Sequence, residues 1–208
     1  ELYQLDPRGT NTPPEKTRNI ELGTKWNVLD NRLSLRASIS RSEKTNERNT
    51  DLETPDVYLL SGKRHTDAFE LEANGRLTDK WDLYATYAHM RAKIDQGVGT
   101  SAANVGHTPA NTPRNTFSIW TTYKVIPDLK LGLGLEGVGS RFTGDDNQTK
   151  IDGYKRVDAM VEYNFTKNIT AKLNVFNLFN KDYYEGIYRG HIVPGTSRAA
   201  QLNLTMKF

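Results

Sequence analysis

The stretch Ala200, Leu202, Leu204, Met206, Phe208 alternates residue by residue with Gln201, Asn203, Thr205, Lys207. Side chains of successive residues point to opposite faces only in a β-strand, so this stretch has one apolar and one polar face. The same period recurs through most of the 208 residues. Such a chain must pair its strands edge to edge and then find something apolar to place against one face of the sheet.

Nothing in the composition suggests a helical alternative. Hydrophobic residues make up 36% of the chain and the mean hydropathy is −0.68, and no run approaches the ~20 consecutive apolar residues of a membrane helix. A transmembrane barrel passes that test unseen, because only alternate residues of each strand meet lipid. The chain has no cysteine, which removes disulfide and thiolate-metal frameworks. The 28 basic and 25 acidic residues leave a net charge of +3, too balanced a mixture to point to nucleic acid as a partner. It opens at Glu1 without an initiator Met or a secretory leader, the expectation for a fragment or a processed product.

Nine strands are expected: Thr17–Trp26, Arg32–Glu43, Lys63–Leu77, Trp81–Lys93, Asn115–Val125, Leu129–Ser140, Tyr154–Phe165, Ile169–Phe176 and Arg198–Phe208. The connections Asn27–Asn31, Thr78–Lys80, Ile126–Asp128 and Thr166–Asn168 are tight and carry turn chemistry such as Asp30-Asn31 and Pro127-Asp128. Those between them, Lys44–Gly62, Ile94–Arg114, Arg141–Gly153 and Asn177–Ser197, are long and rich in Gly, Asn, Asp, Thr and Pro. Up-and-down connectivity then places every short turn on one side and every long loop on the other, the asymmetry of bacterial outer-membrane barrels. Trp26, Trp81, Tyr123, Tyr163, Phe165 and Phe208 share the apolar parity and lie beside the short turns, where an interfacial aromatic girdle belongs. A soluble barrel has no reason to gather its rings at one rim. An odd number of strands cannot close a bacterial single-chain barrel, so the expectation is a piece of a larger one.

Four phrases carry a resemblance: Pro14-Glu15-Lys16-Thr17-Arg18-Asn19-Ile20-Glu21-Leu22-Gly23-Thr24-Lys25-Trp26, Asn111-Thr112-Pro113-Arg114-Asn115-Thr116-Phe117-Ser118-Ile119-Trp120-Thr121-Thr122-Tyr123, Asn174-Val175-Phe176-Asn177-Leu178-Phe179-Asn180-Lys181-Asp182-Tyr183-Tyr184, and Val193-Pro194-Gly195-Thr196-Ser197-Arg198. In this order they resemble the TonB-dependent siderophore receptors of Gram-negative outer membranes. The resemblance implies an all-β, antiparallel, up-and-down transmembrane barrel of twenty-two strands, of which residues 1–208 supply roughly the last nine. It also implies a plug domain and a TonB-contacting segment outside this chain, and uptake of a ferric siderophore with TonB and outer-membrane lipid as partners. Iron would travel within the siderophore, with no resident cofactor. The segment from Tyr183 to Gly195 resembles the catecholate branch.

A ferric tris-catecholate is a compact trianion with aromatic faces, which Arg and Lys would pair with and Tyr would stack upon. The best cluster of candidates is Tyr183, Tyr184, Tyr188, Arg189 and His191, followed by Arg141, Arg114 and Arg64 within Lys63-Arg64-His65. The alternative for each is a solvated loop charge or an interfacial tyrosine. Gly132-Leu133-Gly134-Leu135-Glu136-Gly137 spells G-x-G-x-x-G inside a strand with no helix after it, so nucleotide binding is not expected. The two glycines are expected to leave lumen-side room for a neighbouring domain or loop. Asp145-Asp146-Asn147-Gln148-Thr149-Lys150 offers oxygens, but Lys150 and Arg156 stand where a calcium loop needs Gly and Glu. The four histidines lack metal-ligand spacing and no nucleophile motif is present, so no enzyme is expected. Two rivals remain at this level: a self-contained outer-membrane pore or adhesin, and a soluble barrel with an apolar cavity.

Overall fold

The computed structural model describes residues 14–50, 58–188 and 191–208. In chain order the strands are β1 (Lys16–Val28), β2 (Leu33–Thr50), β3 (Tyr58–Thr78), β4 (Trp81–Gln96), β5 (Asn115–Ile126), β6 (Leu129–Val138), β7 (Arg141–Phe142), β8 (Lys150–Ile151), β9 (Tyr154–Asn164), β10 (Ile169–Phe176), β11 (Tyr184–Tyr188), β12 (His191–Pro194) and β13 (Ala199–Met206). Nine of them form one open antiparallel sheet in the order β1-β2-β3-β4-β5-β6-β9-β10-β13. The other four make two small ribbons, β7 with β8 and β11 with β12, inside the long connections. All nine expected wall strands are present, paired with sequence neighbours in the wall, as an up-and-down topology requires.

Short connections close within a few residues. Leu29, Asp30 and Asn31 all take left-handed backbone conformations, and the Arg32 amide returns a 3.1 Å hydrogen bond to the Leu29 carbonyl. At the β9–β10 turn the Thr166 hydroxyl accepts from the amides of Asn168 and Ile169, the side-chain capping of a turn that Ser and Thr favour.

One boundary differs from expectation. Residues 44–62 were expected to be loop, yet β2 runs to Thr50 and β3 begins at Tyr58, leaving at most the tip between them. At ~3.3 Å per residue the 21 residues of β3 reach about 70 Å, far beyond the 9–11 residues a tilted membrane strand needs. Residues Lys44–Thr50 of β2 are all polar, so this part carries no apolar alternation and the period-two signal that marks the other strands is missing. The ladder also slips at Thr45/Glu47, where Asn46 adopts a left-handed conformation and a bulge twists the hairpin.

The register sorts the faces. Leu22↔Ile39↔Phe69 is one row across β1, β2 and β3, and Tyr123↔Leu131↔Val161↔Leu173↔Leu202 is another across β5, β6, β9, β10 and β13. These residues are exposed; none of the described residues covers them. The opposite face carries Glu21, Lys25, Arg36, Ser38, Glu70 and Glu72 around a hollow of about 930 Å³. The soluble alternative needs the reverse arrangement, with the apolar set enclosed. Trp81 and Tyr123 meet edge to face at 6.5 Å and Tyr163 and Phe165 at 5.0 Å, all exposed on the apolar face at the short-turn end. These rings form the expected girdle.

Gly132 and Gly134 do not hold space for another domain or loop. A Cβ on Gly134 would stand 2.7 Å from the Trp120 ring, and one on Gly132 would meet both Trp120 and Met160 at 3.0 Å. The polar-face notch is filled from the adjacent strands β5 and β9. A G-x-G repeat here lets an indole lie flat on the sheet.

A face this apolar requires a non-aqueous neighbour. Leu133 sits on it at mid-strand and is 51% exposed. In a lipid-reconstituted complete barrel, Leu133→Arg should destabilise by about 2–4 kcal/mol, measured by denaturant unfolding. Thr86→Arg, on the polar face, should cost far less, and equal costs would refute the assignment of faces.

Candidate functional site

Most of the tightly buried residues among those described lie at the long-loop end of the wall: Ile94, Ile151, Tyr154, Tyr183, Arg141 and Asn177. The mouth is thus the best-packed part of this chain, and three devices build it.

Asn177 ends β10 in a left-handed conformation and is only 2% exposed. Its amide nitrogen donates to the carbonyls of Lys181 at 2.9 Å and Thr196 at 3.0 Å. Its side-chain oxygen accepts from the Lys181 amide at 2.9 Å, and its own backbone N–H donates to Asp158 at 2.7 Å. The Asn177 side chain therefore ties both ends of the 177–198 connection together, and its backbone N–H fixes them to β9.

The second device is an aromatic and ionic latch. The Tyr154 and Tyr183 rings pack at 4.4 Å, and Tyr183 lies over Gly195, where a Cβ would collide with its ring. Arg156 donates to the Tyr183 hydroxyl at 3.1 Å, to Glu136 at 2.9 Å and to Asp158 at 3.2 Å. Burial, and after it the 2.7 Å hydrogen bond to Glu136, push the Tyr154 phenol well above its usual pKa, so it stays a neutral donor. Arg141, 5% exposed, gives one nitrogen to the Tyr184 carbonyl at 2.8 Å and another to the Glu185 carbonyl at 2.9 Å.

The third device locks neighbouring connections. Asn147 and Thr108 exchange two hydrogen bonds, at 2.7 and 3.0 Å. Asp145 accepts from the Ala110 amide at 2.7 Å, and its other oxygen lies 3.7 Å from Arg64. Arg64 also grips Glu47 on the projecting hairpin at 2.8 Å. The acidic segment that looked like a calcium-loop candidate thus presents its oxygens to backbone and arginine.

Of the predicted ligand residues, Tyr183, Tyr184 and Arg141 converge, with the two tyrosines lining a hollow of about 660 Å³ alongside Asp152, Lys181 and Ser197. Their parts differ. Tyr183 is buried and Arg141 holds backbone carbonyls, so both shape the hairpin. Tyr184 is 50% exposed, and its ring packs on no other ring among the described residues. Tyr188 ends β11 with its backbone opposite His191, and His191 is exposed; Arg189 lies outside the described residues. Arg64 sits apart, joining loops. Arg114 is exposed and lines a different hollow with Arg91 and Lys93. Sequence reasoning missed Asn177, Arg156, Glu136 and Tyr154 as the supports of the mouth. The period-two pattern put Arg156 and Asp158 on one face, but only the folded register brings Glu136 and Tyr183 to them.

Asn177→Ala removes three hydrogen bonds that a buried side chain makes to the backbone of Lys181 and Thr196 and should loosen the 177–198 connection by about 1–3 kcal/mol. Limited proteolysis should show faster cleavage within that connection while the wall strands stay protected.

The chain matches the family model "TonB dependent receptor-like, beta-barrel" over residues 1–178. It is 35% identical over 205 residues to a probable TonB-dependent siderophore receptor, PiuA, of Acinetobacter baumannii, covering 94% of this chain and 27% of that protein. It is 32% identical over 207 residues to the catecholate siderophore receptor Fiu of Escherichia coli K12, covering 96% of this chain and 27% of Fiu. The crystal structure of PiuA superimposes with a TM-score of 0.87 at 33% identity, over 94% of this chain and 29% of that one. The closed form of Fiu gives 0.81 at 32%, over 96% and 28%. The chain therefore spans about 27% of the length of these curated relatives. Matching alternation, turn asymmetry, register and superposition together place it in the TonB-dependent receptor family, as a segment of the β-barrel.

Proposed function

We propose that this chain forms wall and mouth of a Gram-negative outer-membrane receptor that imports a ferric siderophore, with catecholate chemistry favoured. The observation that carries this reading is a barrel wall that matches siderophore receptors nearly end to end and whose packing is concentrated at the loop-side mouth. A wall needs only paired strands; a binding mouth needs loops held in place.

The chemistry available there suits a ferric catecholate. Tyr184 presents a ring for stacking, His191 a donor, and Lys181 a cation beside the hollow. Arg189 belongs to the same hairpin in sequence and remains part of the proposed site. Iron enters as cargo inside the chelate, so the protein needs no cofactor of its own and performs no bond-making step. Energy would come from TonB acting on a plug domain supplied by the rest of the receptor.

The test uses the intact receptor in detergent, titrated with ferric catecholate and ferric hydroxamate chelates by fluorescence quenching. Catecholate should bind saturably, and Tyr184→Ala with His191→Ala should weaken it by about tenfold, the worth of one or two good contacts. Hydroxamate preference would overturn the catecholate assignment and keep the transporter. Binding of neither would overturn the siderophore reading.

A further inference from the structure

Two arginines brace the 177–198 connection, and their charges are handled in opposite ways. Arg156 is half-buried and lies between two carboxylates, Glu136 at 2.9 Å and Asp158 at 3.2 Å. Arg141 is buried, yet it forms no ion pair among the described residues. Its acceptors are the carbonyls of Tyr184 and Glu185, and its buried Nε meets no acceptor among the described residues.

Gripping two carbonyls needs no charge. Asn177 does the same for the carbonyls of Lys181 and Thr196 with a neutral amide. A guanidinium is a permanent charge, and carbonyl oxygens engage its protons without cancelling it. Withdrawing such a charge from water without a counter-charge is unfavourable. The charge of Arg141 is therefore surplus to its structural task, and an anion arriving near it would relieve the imbalance.

The position of Arg141 suits that part. Its guanidinium lies 2.8 Å from the carbonyl of Tyr184, the residue whose ring lines the hollow of about 660 Å³. The side chains of Asp152, Lys181, Asp182 and Glu185 nearby are exposed. Water and salt screen these four, whereas a withdrawn charge is screened much less.

We propose that Arg141 makes the mouth select its chelate by net charge, acting from behind the Tyr184 hairpin without touching the ligand. This rests on the siderophore reading above and adds to it a reason for preferring a more anionic chelate over a less anionic one of the same shape. Over about 10 Å, at an effective dielectric of about 50, each negative charge on the chelate is worth about threefold in affinity. Arg156 has no such role, because its two carboxylates already outweigh it.

The test holds shape fixed and changes charge. Three catecholate dianions around iron(III) leave a trianion, and around germanium(IV) they leave a dianion of the same octahedral form. Both complexes of one tris-catecholate ligand are titrated calorimetrically into the intact receptor in detergent. Arg141→Gln should lose about thirtyfold for the ferric complex and about tenfold for the germanium complex, shifting the preference between them by about threefold. Arg141→Lys keeps the charge, gives up the paired donors and should retain the wild-type preference. A loosened hairpin alone would weaken both complexes alike, so equal losses in Arg141→Gln, or no loss, overturn the proposal. Where Arg141→Gln binds neither complex, Arg141→Lys decides: binding with the wild-type preference supports the charge role, and any other result overturns it. A wild-type receptor that binds neither complex overturns the siderophore reading itself.

Discussion

The backbone ladder from β1 to β13 is the constraint on which everything else rests. A strand facing hydrocarbon has no water to satisfy its amides and carbonyls, so each must bond to a neighbouring strand. Between β1 and β13 the sheet order achieves this by pairing each wall strand with the next wall strand in the chain, which forces long and short connections to opposite ends. Once that division exists, the two ends can specialise. Short-turn residues anchor rings at one boundary of the apolar band, and the long connections are free to build a mouth at the other.

The two ends also differ in what holds them. In mid-wall the side chains contribute alternation and shape, and the notch at Gly132 and Gly134 admits the Trp120 indole. At the mouth, polar groups hold the connections: buried Asn177 bridging two ends of a connection, and half-buried Arg156 between two carboxylates and a phenol. Buried polar groups cost heavily unless they are hydrogen-bonded, and Asn177 has both its side-chain polar atoms so engaged. A mouth made this way has few alternative arrangements, which suits a surface that must recognise one shape.

The wall was legible in the sequence because period-two alternation is a local signal. All nine strands followed from it, and the aromatic rings at the short turns fixed which end was which. The projecting β2–β3 hairpin was illegible for the complementary reason: Lys44–Thr50 is polar throughout, so nothing in it alternates. The mouth was only half legible. Tyr183, Tyr184 and Arg141 could be named as rim residues by type, but their division into supports and presenters depends on contacts between residues tens of positions apart. Arg114 shows the limit most plainly. Its charge and loop position suggest a ligand role beside Tyr184, yet it lines a different hollow, with Arg91 and Lys93.

The bonds that join Asn147 to Thr108, Asp145 to Ala110, and Arg64 to both Asp145 and Glu47 have a mechanical meaning. Three connections that are separate in sequence share their load and deflect as one body. Force applied at any one tip is felt at the bases of the other two. Over these connections the rim therefore behaves less like independent fingers than like one bound segment, to which Arg141 also ties the 177–198 connection.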